Sequence, residues 1–573
     1  MNMTLRRRFT LAFATTFSCV LTFSVTHIAI AADATNGAAA TVHPLATQAA
    51  MDALAKGGNA IDAAVAAAVT LGVVDGHNSG IGGGCFLILR TADGQLIALD
   101  GREQAPGAAT ADMFMRNGKG DTSLSQSGPL ASGIPGSVAV YAEAVKSFGK
   151  LPLADAFLPA ADIAERGFPI DSKYAQKLPR QVPEITKYPA AAAVLLDADG
   201  KALAEGALLK QSDLAKTYRA IASEGPDYFY RGTFAKTVGD WMKANGGIIT
   251  ADDFANYQLK RREPIVTQYR GYKIVGFPPP SSGGVHVAQI LSILEHFDLA
   301  SLEKQDPAIR LHVQAEAMKL AFADRAFWLG DPAFTKVPKG LIDAGYAKTL
   351  ASRIKLDSAL SLEGPGTPPD AKSRFFDDEL TGRHTTHIAT ADALGNVVAI
   401  TATVNTAFGS KVIVPGTGVI LNNQMDDFSI EPGVANAFGL VGAEANAVAP
   451  GKRPLSSMSP TIVLKDDKPF LTIGAAGGPK IITQVVLGIT NVIDLGDDLP
   501  TALARKRIHH QWQPNEIWVE RGFDGAVVDR LKALGNPVNI SPPTGATQAI
   551  LIDGDKFAPV FEPRVPGSAM TTK

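Results

Sequence analysis

The sequence predicts an α+β protein, in which helices and antiparallel strands occupy separate stretches of the chain. Three observations support this class: two alanine-rich helices precede a β-hairpin, residues 150–350 are mostly helical, and the chain after residue 380 is rich in strands. A doubly wound parallel sheet would instead alternate strands and helices along the chain, so this order of elements argues against it.

Glycine and asparagine mark the ends of the first predicted elements. A pair of glycines ends a helix at 44–56, and Asn59 caps a second helix at 60–73. An Asp-Gly turn then joins strands at 85–90 and 95–100, which is typical of a hairpin.

The middle of the chain follows the same rules. Glycines end helices at 153–166 and 234–245, and a proline-rich turn at 278–284 leads into an apolar helix. Thr250 begins a predicted capping box. A stretch rich in Pro, Gly and charge at 361–380 then indicates an exposed loop or linker.

A β-hairpin is predicted immediately after that loop. Its strands lie within 384–390 and 397–405 and flank a polar turn. If Leu394 is the centre of the turn, Thr403 lies opposite Thr385, with Cβ atoms about 4.5–5.5 Å apart.

Composition narrows the class of protein. The 573 residues are 46% hydrophobic and 19% charged, with a net charge of −2. A disordered chain would have fewer apolar residues and more net charge, so we expect a well-packed globular protein. No long run of Lys and Arg follows the N-terminus, which argues against a nucleic-acid partner and against binding to an anionic membrane.

Residues 1–31 have the pattern of a secretory signal peptide. Arg6, Arg7 and Arg8 precede an apolar stretch at 11–25, and a small-x-small cleavage site follows. Because a membrane span needs about 20 apolar residues, we predict removal of this segment rather than anchoring. The mature protein is then periplasmic or secreted, by the general or the twin-arginine route.

The number of cysteines predicts an exported protein that is stabilised by its hydrophobic core and not by a disulfide. Cys19 leaves with the signal, so Cys85 has no partner for an internal disulfide. Cys85 leads into an apolar strand, and we predict a buried structural thiol.

Several motifs, taken in order over more than 500 residues, resemble those of the gamma-glutamyltransferases, also called gamma-glutamyltranspeptidases. The resemblance extends from the first mature helix to the C-terminus. The matching stretches are 57–65, 99–103, 279–284, 385–387, 421–428, 453–461 and 477–478.

The resemblance implies an N-terminal nucleophile hydrolase with a four-layer αββα sandwich, formed jointly by two subunits from one precursor. It places the cut between His384 and Thr385, after a flexible segment at 361–384. The products are a large subunit, residues 32–384, and a small catalytic subunit, residues 385–573, which remain together as a heterodimer.

A threonine at a new N-terminus has a chemical use. Its hydroxyl is a poor nucleophile without a base, and cleavage frees an α-amino group on the same residue. The reference pKa of that group, about 7.7–8, leaves much of it neutral near working pH. Thr386 competes with Thr385 for this role, and only the family match favours Thr385. Thr403 matches the second threonine of the family, which hydrogen-bonds the nucleophile.

The resemblance also implies a pocket with one ion of each sign for a γ-glutamyl substrate. Arg102 matches the family's carboxylate-binding arginine, and Asp427 matches the acid that binds the α-ammonium group. Gly477 and Gly478 match the oxyanion hole, where absent side chains let backbone N–H groups approach. The neutral positions that complete the pocket are Asn405, Gln424, Ser456 and Ser457.

We expect no cofactor and no metal, because His509 and His510 are adjacent on a predicted strand and point to opposite faces. Phe438 departs from the family, since many bacterial relatives have tyrosine there in a loop over the site. Its missing hydroxyl cannot contact Asn405. We therefore hypothesise that a looser lid favours hydrolysis over transpeptidation.

These expectations describe an enzyme that cleaves the γ-glutamyl amide bond of glutathione and related compounds through a γ-glutamyl-Thr intermediate. The acyl group then passes to water or to amino acids and peptides. Two alternatives stay open. A cephalosporin or glutaryl acylase of the same superfamily would use the same nucleophile, although glutaryl groups lack the α-ammonium that Asp427 would bind. An exported amino-acid-binding protein would explain the signal and the charged pocket, but it needs no threonine at a cleavable site.

Overall fold

The computed structural model describes residues 36–371, 385–431, 435–440, 442–543 and 545–572. The predicted signal peptide at 1–31 lies outside the described residues, as do 372–384 of the predicted flexible segment. Within the part that is described, no helix is both long and apolar enough to cross a bilayer.

Two antiparallel sheets form the centre of the molecule. The strands of the seven-stranded sheet are, in spatial order, Ser568–Thr571, Gly37–Thr41, Thr386–Asp392, Val397–Thr403, Gly84–Arg90, Leu96–Gly101 and Lys260–Arg262. Those of the six-stranded sheet are Lys556–Phe561, Thr547–Asp553, Lys468–Ala475, Thr461–Lys465, Tyr272–Gly276 and Ile265–Tyr269.

The two sheets pack face to face on an apolar layer, and alternation along the strands explains how. In strand Gly84–Arg90, Phe86 and Ile88 point between the sheets, whereas Leu87 and Leu89 point outward to the helices. Phe86 stacks on a phenylalanine from the six-stranded side, with ring centroids 4.1 Å apart. Both faces of this strand are therefore buried.

Helices cover the outer face of each sheet. Pro44–Ala55 and Ala60–Val74 lie on the seven-stranded sheet, while Gly283–Leu294, Pro307–Trp328 and Lys480–Ile493 lie on the six-stranded sheet. Every residue of Ala60–Val74 is buried, because its many alanines permit close approach to neighbours on all sides. The order of layers is helix, sheet, sheet, helix, which confirms the predicted α+β class and the αββα sandwich.

Shorter elements surround the four layers. The small strands are Met115–Arg116 with Lys119–Gly120, Phe168–Pro169 with Leu208–Leu209, and Ile508–His509 with Ile517–Glu520 and Val538–Ser541. The other α-helices are Thr122–Gln126, Ser137–Phe148, Ala154–Arg166, Ser172–Lys177, Val182–Ile185, Pro189–Leu195, Ser212–Glu224, Pro226–Tyr230, Thr233–Ala244, Ala251–Asn256, Leu299–Gln305, Ala344–Ala351, Leu499–Ala504 and Gly525–Ala533. The 3₁₀ helices are Pro129–Ala131, Leu178–Gln181, Lys339–Ile342, Gln424–Asp427 and Glu444–Asn446.

The predicted hairpin forms the middle of the seven-stranded sheet. Thr386 pairs with Ala402, and Ala391 pairs with Val397, which is the register centred on Leu394. The predicted caps are also present: Asn59 and Thr250 each form a capping box at the start of a helix. These local predictions are confirmed.

Cys85 is fully buried at the start of its strand, as predicted. Burial raises the pKa of its thiol far above the usual range. The thiolate form is therefore not accessible at ordinary pH, which suits a structural role.

Candidate active site

Two threonine hydroxyls meet where the central hairpin ends. Thr385 directly precedes strand Thr386–Asp392, and Thr403 is the last residue of Val397–Thr403. Their Oγ1 atoms lie 3.3 Å apart, and Thr403 Oγ1 also accepts a hydrogen bond from Asn405 N at 2.8 Å. The hairpin register thus brings the two predicted hydroxyls together.

All the predicted site residues except Gly477 border one cavity, which we call the arginine cavity. The residues that line it are Arg102, Arg325, Thr385, Thr403, Asn405, Gln424, Asp427, Phe438, Leu440, Leu455, Ser456, Ser457, Met458, Gly478 and Ile481. They come from positions throughout the chain.

A buried ion pair occupies the charged end of the arginine cavity. Arg102 Nη2 lies 2.5 Å from Asp427 Oδ2, and their side chains are 1% and 11% exposed. Arg102 also donates to the carbonyl oxygens of Pro454 and Leu455, at 3.0 and 3.1 Å. Because its guanidinium is held from several sides, it is not the ordinary surface arginine that its local sequence would indicate.

Glu103 is a buried carboxyl beside this pair that was not among the predicted site residues. Its Oε2 lies 3.4 Å from Arg102 Nη1. Burial raises the pKa of Glu103 to about 7, and the charge of Arg102 opposes that rise. The sequence feature that could have predicted Glu103 as a site residue is its position next to Arg102 in the matching stretch 99–103.

Two amide side chains fix Asp427 and the segment that carries it. Gln424 Nε2 donates to Asp427 Oδ2 at 2.6 Å, within the 3₁₀ turn Gln424–Asp427. Asn405 adopts a positive φ of 80° and donates from Nδ2 to the carbonyl oxygen of Asn423 at 2.9 Å. Asn405 therefore ties the hairpin end to the segment that carries the acid.

The proline-rich turn predicted at 278–284 supports the two serines. Ser282 donates from its backbone N–H and its hydroxyl to the carbonyl oxygen of Ser456, at 2.7 Å in each case. Ser456 and Ser457 both face the arginine cavity. The role of the turn is thus to fix the wall of the site.

Arg325 is a second buried cation of the cavity and was not among the predicted site residues. Its Nε donates to Ser282 Oγ at 2.9 Å, and its Nη2 donates to Ser457 Oγ at 3.0 Å. Burial lowers the pKa of Arg325 to about 10. It lies in the long helix Pro307–Trp328, whose local sequence contains no signal that singles it out.

Gly477 and Gly478 form the turn that enters helix Lys480–Ile493. Their φ angles are 129° and 57°, which side-chain-bearing residues rarely adopt. A Cβ atom on Gly478 would lie 2.5 Å from Phe438 Cδ1. The N-terminus of the helix adds positive potential at this point, which favours a developing negative charge.

Phe438 lies in the turn 436–439, the lid segment predicted from the sequence. Its ring covers Gly478 and borders the arginine cavity. Phe438 is 6% exposed, so its ring is packed against the site. It occupies the position at which many bacterial relatives are expected to have a tyrosine.

A second cavity, of about 240 Å³, meets Thr385 from another direction. We call it the lysine cavity, because Lys173, Lys177 and Lys480 line it together with Gly477 and Asp75. Thr385 borders both cavities, whereas Thr386 is fully buried and borders neither. This placement favours Thr385 over Thr386 as the group that meets a substrate.

The arrangement has the parts that acyl transfer needs. A hydroxyl lies near a partner hydroxyl, two glycines at a helix N-terminus offer backbone N–H groups, and a cation and an anion lie at the far end of the cavity.

Comparison with known proteins agrees with this description. The family model described as gamma-glutamyltranspeptidase matches residues 46–572. The chain is 42% identical over 526 residues to the glutathione hydrolase proenzyme of Escherichia coli K12, covering 91% of this chain and 89% of that one. It is 39% identical over 533 residues to the acylase ACY 1 proenzyme of Pseudomonas sp. SE83, covering 91% of each.

The structure of a cephalosporin acylase from Bacillus halodurans superposes with a TM-score of 0.83 at 30% identity, over 94% of this chain and 96% of that one. The relatives thus include both glutathione hydrolases and acylases. Since the family model spans nearly all the described residues, the chain belongs to the gamma-glutamyltranspeptidase family.

Proposed function

We propose that the chain is a precursor that cuts itself before Thr385 and then hydrolyses and transfers γ-glutamyl groups, with glutathione as a donor. One observation carries this proposal: the Thr385 hydroxyl borders the same cavity as a buried arginine and aspartate of opposite charge. A γ-glutamyl group has an α-carboxylate for the arginine, an α-ammonium for the aspartate and an acyl carbon for the threonine hydroxyl.

Substrate binding exchanges one ion pair for two. Arg102 would bind the α-carboxylate and Asp427 the α-ammonium, in place of their present contact at 2.5 Å. The free volume of the arginine cavity is only about 20 Å³, because these side chains close on each other. The substrate must therefore separate Arg102 from Asp427. Gln424 keeps its hydrogen bond to Asp427, and Arg325 keeps its hydrogen bonds to Ser282 and Ser457.

The chemistry then follows from the position of Thr385. Its freed α-amino group takes the hydroxyl proton while the oxygen attacks the γ-carbonyl carbon, and the N–H groups of Gly477 and Gly478 stabilise the oxyanion. The proton passes to the leaving amine as the amide bond breaks. Water or a second amine then attacks the γ-glutamyl ester and releases Thr385.

Maturation would yield residues 32–384 and 385–573 as two subunits of one heterodimer. The strands Gly37–Thr41 and Thr386–Asp392 pair directly within one sheet, which supports subunits that stay together after the cut. The word proenzyme in the names of the relatives also supports processing. We propose export to the periplasm or the medium after removal of residues 1–31.

A denaturing gel and N-terminal sequencing of the smaller fragment test this proposal. We expect two bands, with the small one beginning at Thr385, and hydrolysis of γ-glutamyl-p-nitroanilide. Thr385→Ala should stay one band and lack activity, whereas the control Thr386→Ala should mature. A fully active single chain would refute the proposal, whereas a single chain without activity would favour the amino-acid-binding alternative.

The acylase relatives support a second candidate, the hydrolysis of glutaryl-cephalosporins. A glutaryl group keeps a carboxylate for Arg102 but lacks the α-ammonium that Asp427 would bind. We expect γ-glutamyl-p-nitroanilide to be preferred over glutaryl-7-aminocephalosporanic acid, and Asp427→Asn to reduce only the first activity strongly. The reverse preference would favour the acylase.

A further inference from the structure

Arg325 is a charged residue of the arginine cavity to which the proposed function gives no contact with the substrate. It is 3% exposed, and burial lowers its pKa to about 10, so it stays a cation near neutral pH. Among the described residues it forms no ion pair with a carboxylate, although the charge of Asp427 acts on it. Because burying a cation without a paired acid is unfavourable, this position indicates a use for the charge.

Arg325 and Arg102 hold the same wall of the cavity. Arg102 donates to two backbone carbonyl oxygens of the segment 454–457, and Arg325 donates to the hydroxyl of Ser457 in that segment at 3.0 Å. An anion bound against this wall is attracted by both guanidinium groups, whereas a cation is repelled there. The wall therefore suits the carboxylate end of a substrate.

The contact with Arg325 fixes the direction of the Ser457 hydroxyl. A serine hydroxyl can accept two hydrogen bonds but donates only one, and a guanidinium group only donates. Ser457 Oγ therefore accepts from Arg325 Nη2, and its own proton points elsewhere. Within the described ranges Ser457 Oγ makes no other hydrogen bond, and the residue borders the arginine cavity. The hydroxyl is thus available as a donor to an anionic group in the cavity.

The other side of the guanidinium group holds the turn behind this wall. Arg325 Nε donates to Ser282 Oγ at 2.9 Å, and Ser282 Oγ donates to the carbonyl oxygen of Ser456 at 2.7 Å. Two backbone hydrogen bonds join the same segments without Arg325: Ser282 N donates to the Ser456 carbonyl, and Ser456 N donates to that of Pro280, at 2.7 and 2.9 Å. Loss of the guanidinium group should therefore leave the wall folded and let the Ser457 hydroxyl rotate.

We propose that Arg325 is a positioning residue for the γ-glutamyl donor, which orients the Ser457 hydroxyl to donate to the same α-carboxylate that Arg102 binds. This inference rests on the proposed function. Arg325 does not itself touch the substrate, and it acts through the hydroxyl while its charge favours the same anion. It thereby makes the site select acyl groups that have an α-carboxylate.

Two anilides that differ only in the α-carboxylate test this role. γ-Glutamyl-p-nitroanilide has the group, whereas 4-aminobutyryl-p-nitroanilide lacks it and keeps the amino group. We expect Arg325→Met to raise the KM for the first about ten-fold, with kcat per processed chain within about two-fold, because the contact is made equally in the ground and transition states. The kcat/KM for the second should change less than about two-fold.

A double-mutant cycle separates positioning from packing. Ser457→Ala removes the hydroxyl through which Arg325 acts, so Arg325→Met should then raise the KM for γ-glutamyl-p-nitroanilide by less than about three-fold. Arg310→Met is the matched control, because Arg310 is buried in the same helix but binds Glu303 and Gln314. It should leave the KM for both anilides unchanged.

Two substitutes keep the test decisive. If Arg325→Met fails to fold, Arg325→Lys takes its place with the same expected direction, because lysine keeps the charge but lacks the planar fork that spans both serines. If 4-aminobutyryl-p-nitroanilide is hydrolysed too slowly, its inhibition constant against the γ-glutamyl anilide is measured instead, and it should not change.

The inference is overturned by equal effects on the two anilides, by a loss confined to kcat, or by an undiminished effect of Arg325→Met in the Ser457→Ala background. A chain that cannot hydrolyse γ-glutamyl-p-nitroanilide at all overturns the proposed function. The two failures are therefore distinguishable.

Discussion

Adding one methyl group to Gly478 should disable the site, and removing the ring above it should restore part of the loss. A Cβ atom built on Gly478 lies 2.5 Å from Phe438 Cδ1 and 3.0 Å from Cε1, so the ring or the turn must move. The φ of 57° adds about 1–2 kcal/mol for alanine. If the turn moves, the backbone N–H shifts away from the oxyanion.

The loss of one oxyanion donor costs about 100- to 1,000-fold in kcat. We expect Gly478→Ala to lower kcat for γ-glutamyl-p-nitroanilide by about 100-fold, with rates expressed per processed chain. The double variant Gly478→Ala/Phe438→Ala lacks the steric clash, so its kcat should be about ten-fold higher than that of Gly478→Ala. The backbone strain at the φ of residue 478 remains in both. The Phe438→Ala single variant completes the cycle.

Gly477→Ala is the matched control for this reasoning. Its Cβ would meet nothing closer than 3.4 Å, so its cost comes from a φ of 129° and not from the ring. Phe438→Ala should therefore give no recovery there. Full activity of Gly478→Ala, or equal recovery at both glycines, would refute the steric account.

Three other predictions follow from particular contacts. Phe438→Tyr should raise the ratio of transfer to hydrolysis measured with and without glycylglycine, and an unchanged ratio would remove the lid hypothesis. Arg453→Met removes the partner at 2.5 Å from the buried Asp100, which keeps Arg262 at 2.6 Å, and should lower the free energy of unfolding in urea by about 1.5–3 kcal/mol, whereas Arg231→Gln, which breaks an exposed pair, should cost under about 1 kcal/mol. Burial lowers the pKa of His387 to about 3, so only the unfolded chain binds its proton below the ordinary value of 6.5. The contribution of this group to the free energy of unfolding is complete above pH 6.5 and falls by about 3 kcal/mol on acidification to pH 4. His387→Gln should therefore make the fall in melting temperature over that range shallower, although the buried His286 and His510 keep part of it.

Local rules account for the elements that the sequence predicted well. Asn59 and Thr250 begin helices because their side chains accept from the free N–H groups of the first turn, which needs only residues three positions away. The hairpin register followed from the turn around Leu394 and the strict alternation of strand residues. The contact between Thr385 and Thr403 was thus available from the sequence, although the choice of Thr385 over Thr386 rested on family resemblance.

The two cavities could not be predicted from the sequence, because the residues that line them come from distant segments of the chain. Arg102 and Asp427 are 325 positions apart and meet only because the two sheets and the loops between them pack together. Arg325 was not predicted, since its partners Ser282 and Ser457 lie on other segments. The position of Phe438 over Gly478 likewise depends on a long-range contact.

The sequence by itself determined the α+β class, the helix caps and the register of the central hairpin, because each depends on composition or on neighbours a few residues away. Only the tertiary structure decided which charges face each other, what covers the glycine turn, and that a second, lysine-lined space opens beside Thr385. Those features depend on distances between segments that no local periodicity encodes.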